Sequence, residues 1–492
     1  MKNKHTLPIL LLLSVFLISG CSGGNKDAAP DGGKQPVEPS GDGEPVDPKG
    51  SDYFNKNVTV KMNGGVRTSE TPIVYDLSFK YDEECFTRSA KTYDKDLSMI
   101  SFGASLASIN EERGEAFYKA LEYQNITPHG YDEAPTEDSI GYFIAHKTIE
   151  DFELVTVSFR GFDYQKEWVN NFVIGKTGNH AGFDARGQEV YQDLQTYISK
   201  YCANKTLKLW INGYSRAGAL SNVLASYILK GEEISVTQDN MFVYTFEAPA
   251  SLSEENAIAY ENVHNVINNA DLITFIPPTN YGLARCGVDY PIYNANVSTL
   301  IKELDQEIVI PEYASSDTLE DEGVTDDITL RQYVVDTVFN NPSIGDDVAA
   351  NTREQYVDGY QEGLSGMIGY IFMMKPTTLT QMFTDLQNLG LGALSIIGDD
   401  TGAAFMEFFK PYLDQDQITY DEAKLLGECA TFIKGVQNLF FRIILLFLTD
   451  QGKADLTRLI DMHYPETTYV LLKTAHSVPA EQYFILDKPK RH

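Results

Sequence analysis

Positive charge is in short supply in this sequence. Its 492 residues carry 39 Lys and Arg against 70 Asp and Glu, a formal net charge of −31. A nucleic-acid-binding face needs clustered cations, so this balance argues against a nucleic-acid partner. Cysteine is scarce too: there are five, and none stands in a C-x-x-C pair. Cys85, Cys202, Cys286 and Cys429 are scattered too widely to read as a metal site. Disulfides among them are permitted outside the cytoplasm, and free buried thiols are the equal alternative. The eight histidines are dispersed. H-E-x-x-H, a P-loop and a G-x-G-x-x-G at a strand-to-helix junction are all missing. No metal and no cofactor is therefore expected, and no internal repeat is evident.

What is present is ample material for a core, 43% hydrophobic and 12% aromatic. The length fits one large domain carrying an insertion. The chain opens with Lys2, Lys4 and His5, followed by an almost wholly apolar stretch from Leu7 to Ile18, too short to span a bilayer. Ile18-Ser-Gly-Cys21 resembles the bacterial lipobox, in which the cysteine is acylated. That resemblance implies a signal peptide over 1–20, lipidation at Cys21 and attachment to the outer face of a bacterial membrane. Residues 21–52, rich in Gly, Pro, Asp and Lys, read as a disordered tether.

Periodicity organises the rest. Helical spacing runs from about Lys95 to Tyr123. Strands are expected at Gly141–His146, Phe152–Phe159, Leu207–Ile211, Met241–Phe246 and Asn262–Ile267, with helices at Ala181–Tyr201 and Ala217–Lys230. This alternation predicts a mostly parallel sheet with helices on both faces. From Val297 to Leu459 it stops, and apolar helical runs at Leu364–Met374, Leu386–Ile397 and Val436–Leu448 read as a mainly helical cap insertion. The core then comprises 53–296 and is completed by 460–492.

Gly213-Tyr-Ser215-Arg-Ala217-Gly218 falls between a predicted strand and a predicted helix. A nucleophilic serine on so tight a turn needs small neighbours two positions away on either side. Gly213 and Ala217 meet that need, although the usual pattern has glycine at the second position. At this point the chain resembles the class 3 lipases, which are α/β hydrolases. The likeness extends in order through Val157-Ser-Phe-Arg-Gly161, Glu167-Trp168, His180-Ala-Gly-Phe183, Thr245-Phe-Glu-Ala-Pro249, Asn268-Asn-Ala-Asp271 and Phe275-Ile-Pro-Pro278.

The resemblance implies an α/β-hydrolase fold and a Ser-His-Asp triad acting on carboxylic esters, with lipid or acyl esters as substrates. Ser215 would be the nucleophile and Asp271 the acid. The base would follow Asp271, which leaves His463, His476 and His492. His463, six residues before Tyr469, matches the family's histidine-then-tyrosine spacing, and Tyr469–Leu472 reads as a strand. The oxyanion hole would use the backbone N–H groups of Phe162 and Arg216; a hydroxyl residue commonly stands where Phe162 does. Arg160 and His180 read as structural supports. Two other readings share the anchor and the acidic surface: a substrate-binding lipoprotein and a degenerate, non-catalytic hydrolase.

Overall fold

The computed structural model describes residues 53–63, 74–131, 139–161, 166–292, 327–339, 351–389, 392–399, 401–440, 458–459 and 461–477. Cys21, the tether, Phe162 and His492 lie outside the described residues. An antiparallel pair, β1 (Asn55–Asn63) and β2 (Val74–Asp82), comes first, and sequence periodicity did not disclose it. Two helices follow, α1 (Lys95–Ala107) and α2 (Glu111–Ala120). The single helix expected here is interrupted at Ser108–Asn110, where the Asn110 side chain accepts the N–H of Arg113 and starts a new helix.

The main sheet has seven strands: β3 (Gln124–His129), β4 (Tyr142–Ile149), β5 (Phe152–Phe159), β6 (Thr206–Tyr214), β7 (Met241–Phe246), β8 (Val263–Asn268) and β9 (Val288–Ile292). Their order is β9-β8-β7-β6-β5-β4-β3. Pairing is parallel from β9 to β5 and antiparallel from β5 through β4 to β3. Between β5 and β6 runs α3 (Ala181–Tyr201), and between β6 and β7 runs α4 (Arg216–Lys230). Phe183, Gly187, Val190, Leu194 and Tyr197 recur at helical spacing along the buried stripe of α3.

Both faces of the central strands are covered, so β5 and β7 are buried along their whole lengths and carry apolar residues on both faces. Leu209 and Ile211 of β6 enter a core with α3 and α4, while Trp210 between them enters the core with β1, β2 and α1. The fold is that of an α/β hydrolase.

Beyond β9 the described chain is helical: α5 (Asp327–Phe339), α6 (Glu362–Met373), α7 (Pro376–Leu389), α8 (Ala403–Asp416) and α9 (Glu422–Gly435). Arg353–Tyr356 and a π-helical segment, Val357–Gln361, lead directly into α6. Met367, Phe409, Leu413 and Phe432 form a third core with Ile174, Tyr281 and Leu283 of the sheet domain, so these helices are docked on it. Among the described residues no helix is long and apolar enough to cross a membrane.

The last element, α10 (Pro465–His476), corrects the strand expected at Tyr469–Leu472. Pro465 stands in its first turn, and residues 465–472 are all buried. A helix segment buried on every side has the same apolar run as a buried strand. Cys85, Cys202, Cys286 and Cys429 are free and buried, so the thiol alternative is the one realised.

Candidate active site

The C-terminal ends of β6 and β8 and the turn before α10 converge on Ser215. Its backbone, at φ 58° and ψ −127°, links β6 directly to α4. A side-chain-bearing residue holds such angles only when its surroundings impose them. A Cβ on Gly213 would lie 2.3 Å from the Ala217 carbonyl oxygen, so that position tolerates only glycine. A Cβ on Gly161 would lie 2.0 Å from the Tyr214 carbonyl oxygen and 3.0 Å from the Ala217 methyl. The bare backbone of Gly161 thus makes room for alanine at 217, where glycine is usual.

Ser215 Oγ lies 2.8 Å from Nε2 of His463. Nδ1 of the same ring is 2.6 Å from Oδ2 of Asp271, across 192 residues of sequence. The other Asp271 oxygen accepts the N–H of Ile273 at 2.8 Å. Asp271 is fully buried, so its charge acts on His463 with little screening. Two side chains from the strand ends hold the histidine turn: Asn268 Nδ2 donates to the Met462 carbonyl at 2.9 Å, and the Tyr214 hydroxyl donates to the carbonyl of His463 itself. The long insertion therefore leaves after β9 and returns beside β8, which brings the two distant residues together.

His476, the alternative, is elsewhere. It ends α10, with Nε2 2.8 Å from the Tyr93 hydroxyl, and burial pulls its pKa down to about 4. His180 has a supporting place: it precedes α3, its Nε2 lies 3.2 Å from the Asn171 carbonyl, and burial lowers it to about 3.

Arg216 opens α4, where the first N–H groups of a helix have no intrahelical acceptor. Its side chain turns away to Glu167, a residue whose carboxylate joins three partners. Arg216 Nη1 donates to it at 2.5 Å, Arg160 Nη2 at 2.6 Å and the Gly141 N–H at 2.8 Å. All three charged side chains are buried. Glu167 thereby ties the end of β5 to the start of α4, the two backbones expected to supply oxyanion donors.

Sequence reasoning gave no role to Glu247. It sits in the Thr245–Pro249 segment with φ at 50°, fully buried, and burial followed by the neighbouring Asp271 raises its pKa well above the usual carboxyl value. The Asn268 N–H donates to Oε2 at 2.8 Å and the Thr468 hydroxyl to Oε1 at 2.9 Å. A carboxyl in an otherwise apolar strand end, Phe246-Glu-Ala-Pro, was the available signal.

Residues 156–281 match the family model of the class 3 lipases. A lipase from Rhizomucor miehei is 22% identical over 162 residues, which cover 30% of this chain and 44% of that lipase. The chain thus spans less than half the length of this relative. Among solved structures, a triacylglycerol lipase described as having a serine-protease triad overlaps with a TM-score of 0.33 at 15% identity, over 42% of this chain and 83% of that one. A lipase from Rhizopus microsporus var. chinensis overlaps with a TM-score of 0.32 at 19% identity, over 41% of this chain and 76% of that one.

Proposed function

We propose that this chain is a serine hydrolase of carboxylic esters, in the manner of the class 3 lipases, with lipid or acyl esters as its substrates. The observation that carries the reading is the run Ser215–His463–Asp271 at 2.8 and 2.6 Å, built on a strained turn. With Nδ1–H donated to Asp271, the lone pair of His463 Nε2 faces the serine hydroxyl. Ser215 Oγ attacks the acyl carbonyl while Nε2 takes its proton. The N–H of Arg216, joined by that of Phe162, stabilises the oxyanion. Collapse expels the alcohol, which takes the proton from His463 and leaves an acyl-serine. Water, deprotonated by the same nitrogen, releases the acid.

The helical insertion covers the site in this reading, and Trp168, next to Glu167, meets Phe372 of α6 edge-on at 6.3 Å. Cys21, once acylated, would hold the enzyme on the outer face of a bacterial membrane.

A fluorophosphonate probe together with p-nitrophenyl esters tests the reading. Wild type is expected to be labelled and to turn over esters, and Ser215→Ala to do neither. A folded wild-type protein that binds esters without being labelled would favour the degenerate-hydrolase reading, for which Phe162 in place of a hydroxyl residue is the motive.

A further inference from the structure

At the end of the sheet opposite Ser215, three side chains of metal-ligand type meet in the interior. His146 comes from β4, Glu153 from the start of β5 and Cys202 from the residue after α3. Their ligand atoms lie within 4.8 Å of one another, and the residues are 6%, 4% and 1% exposed. The antiparallel register of β4 and β5 pairs His146 with Val155 and Thr148 with Glu153, which sets both ligand residues on the α3 face.

Two details show what the cluster is prepared to hold. First, Oε2 of Glu153 is buried with no hydrogen-bond partner among the described residues. The other oxygen accepts from the Thr148 hydroxyl at 2.9 Å, so the carboxylate is oriented and one oxygen is left over. Such a group is costly without a cation or a donor. Second, the surroundings select the tautomer of His146. Nδ1 is 2.9 Å from the Tyr197 hydroxyl, whose own proton points to the carbonyls of Asn125 at 2.9 Å and Gln124 at 3.3 Å. Tyr197 therefore accepts from Nδ1–H, and Nε2 keeps its lone pair. A ligating histidine is set in this way, its second nitrogen donating to a fixed acceptor.

We propose that His146 Nε2, Glu153 Oε2 and Cys202 Sγ form a structural site for a divalent transition-metal ion of the zinc class. Mixed nitrogen, oxygen and sulfur donors suit zinc rather than magnesium or calcium. Tetrahedral zinc places its ligand atoms about 3.3–3.8 Å apart, so closing the cluster needs shifts on the order of 1 Å. Binding expels the Cys202 thiol proton to solvent, and the thiolate and carboxylate together neutralise the ion; water completes the coordination. Because the Cys202 thiol must lose its proton to bind, metal uptake is expected to strengthen as pH rises. The carbonyl end of α3 also favours a cation here. Lys205, whose ammonium stands 3.6 Å from the other Glu153 oxygen and is largely exposed, is free to swing into solvent.

Chelator-treated, untagged full-length protein titrated with Co²⁺ tests the site. One equivalent should bind with a thiolate-to-cobalt charge-transfer band, and Zn²⁺ should displace it and raise Tm. Cys202→Ser should lose the band, Glu153→Gln should lose the Tm gain, and Tyr197→Phe should weaken affinity about 10–100-fold. Ester hydrolysis is not the readout, so failure here is separate from failure of the triad. Absence of binding in folded wild type overturns the proposal. So does a charge-transfer band that survives in Cys202→Ser; if that variant does not fold, unweakened binding by both Glu153→Gln and Tyr197→Phe overturns it.

Discussion

Behind His463 two carboxyl groups, Asp271 and Glu247, are buried side by side. Two adjacent negative charges in the interior are costly, so one group keeps its proton. Asp271 faces the imidazole and Glu247 does not, which makes Glu247 the protonated partner, its raised pKa set first by burial and then by Asp271. A neutral Glu247 can donate to Asp271 and fix its orientation. The sign of the linkage follows. Between the ordinary carboxyl pKa and the raised one, the folded state holds a proton that the unfolded state has lost. Stability therefore falls as pH rises through that window, by about 1.4 kcal/mol per unit for one proton. Glu247→Gln carries a permanent donor and should lose this slope. Urea unfolding of both proteins across the acid-to-alkaline range measures it, and identical slopes would count against the assignment.

The base can be tested at the same scale. His463→Gln should lower kcat by on the order of a thousandfold or more while remaining folded. His476→Gln, which loses the bond to Tyr93 away from Ser215, should stay within a few-fold of wild type. The place of Ser215, Asp271 and His463 in one constellation was legible because each belongs to a short motif. That of Glu247 was not, since its environment is made by Asp271 and Thr468, residues far away in sequence.

Elements were legible where one period dominated. The bounds of α3 and β7 were read from the sequence as Ala181–Tyr201 and Met241–Phe246, and the structure has them there. Reading failed where burial erased the period, as in α10, and where a polar cap broke a continuous pattern, as at Asn110. One part of the docking of the helical region on the sheet domain could not be read, because beside the shared apolar core it uses an arginine and a set of backbone carbonyls. Arg353, buried at the start of the segment leading to α6, donates to the carbonyls of Gly175, Gly178, Ile174, Thr177 and Asn179 at 2.5 to 3.1 Å. Each buried carbonyl left unpaired costs about 1–3 kcal/mol. The carbonyl of Ile174 is the buried one, while Thr177 and Gly178 are exposed and can turn to water, so Arg353→Met should free the 174–179 loop, which precedes α3, and destabilise the fold by about 1–3 kcal/mol. Limited proteolysis should show new cleavage between 174 and 179. A variant as resistant as wild type would remove Arg353 as the clamp.

Over the whole molecule, buried histidines govern how the protein meets acid. Burial lowers His180 to about 3 and His264 and His476 to about 4, so all three stay neutral in the folded state. In the unfolded chain each titrates near 6.5. As pH falls below that value the unfolded state gains protons that the folded state refuses, and stability is lost until the folded values are reached. His129 and His146 are also lowered by burial and add to the loss. Glu247 and Glu428, raised by burial, act in the opposite sense and offset part of it. With more histidines than acids involved, unfolding near pH 5.5 should take up roughly one to three protons, worth about 1.4 kcal/mol per pH unit for each. The urea midpoint is therefore expected to be clearly lower at pH 5.5 than at pH 7.5. His264→Gln should flatten that dependence, because His264 is buried between two uncharged groups, the Ala90 carbonyl at 2.9 Å and the Tyr290 hydroxyl at 3.2 Å. An unfolding free energy that rises on acidification through this range would mean that the acids outweigh the histidines.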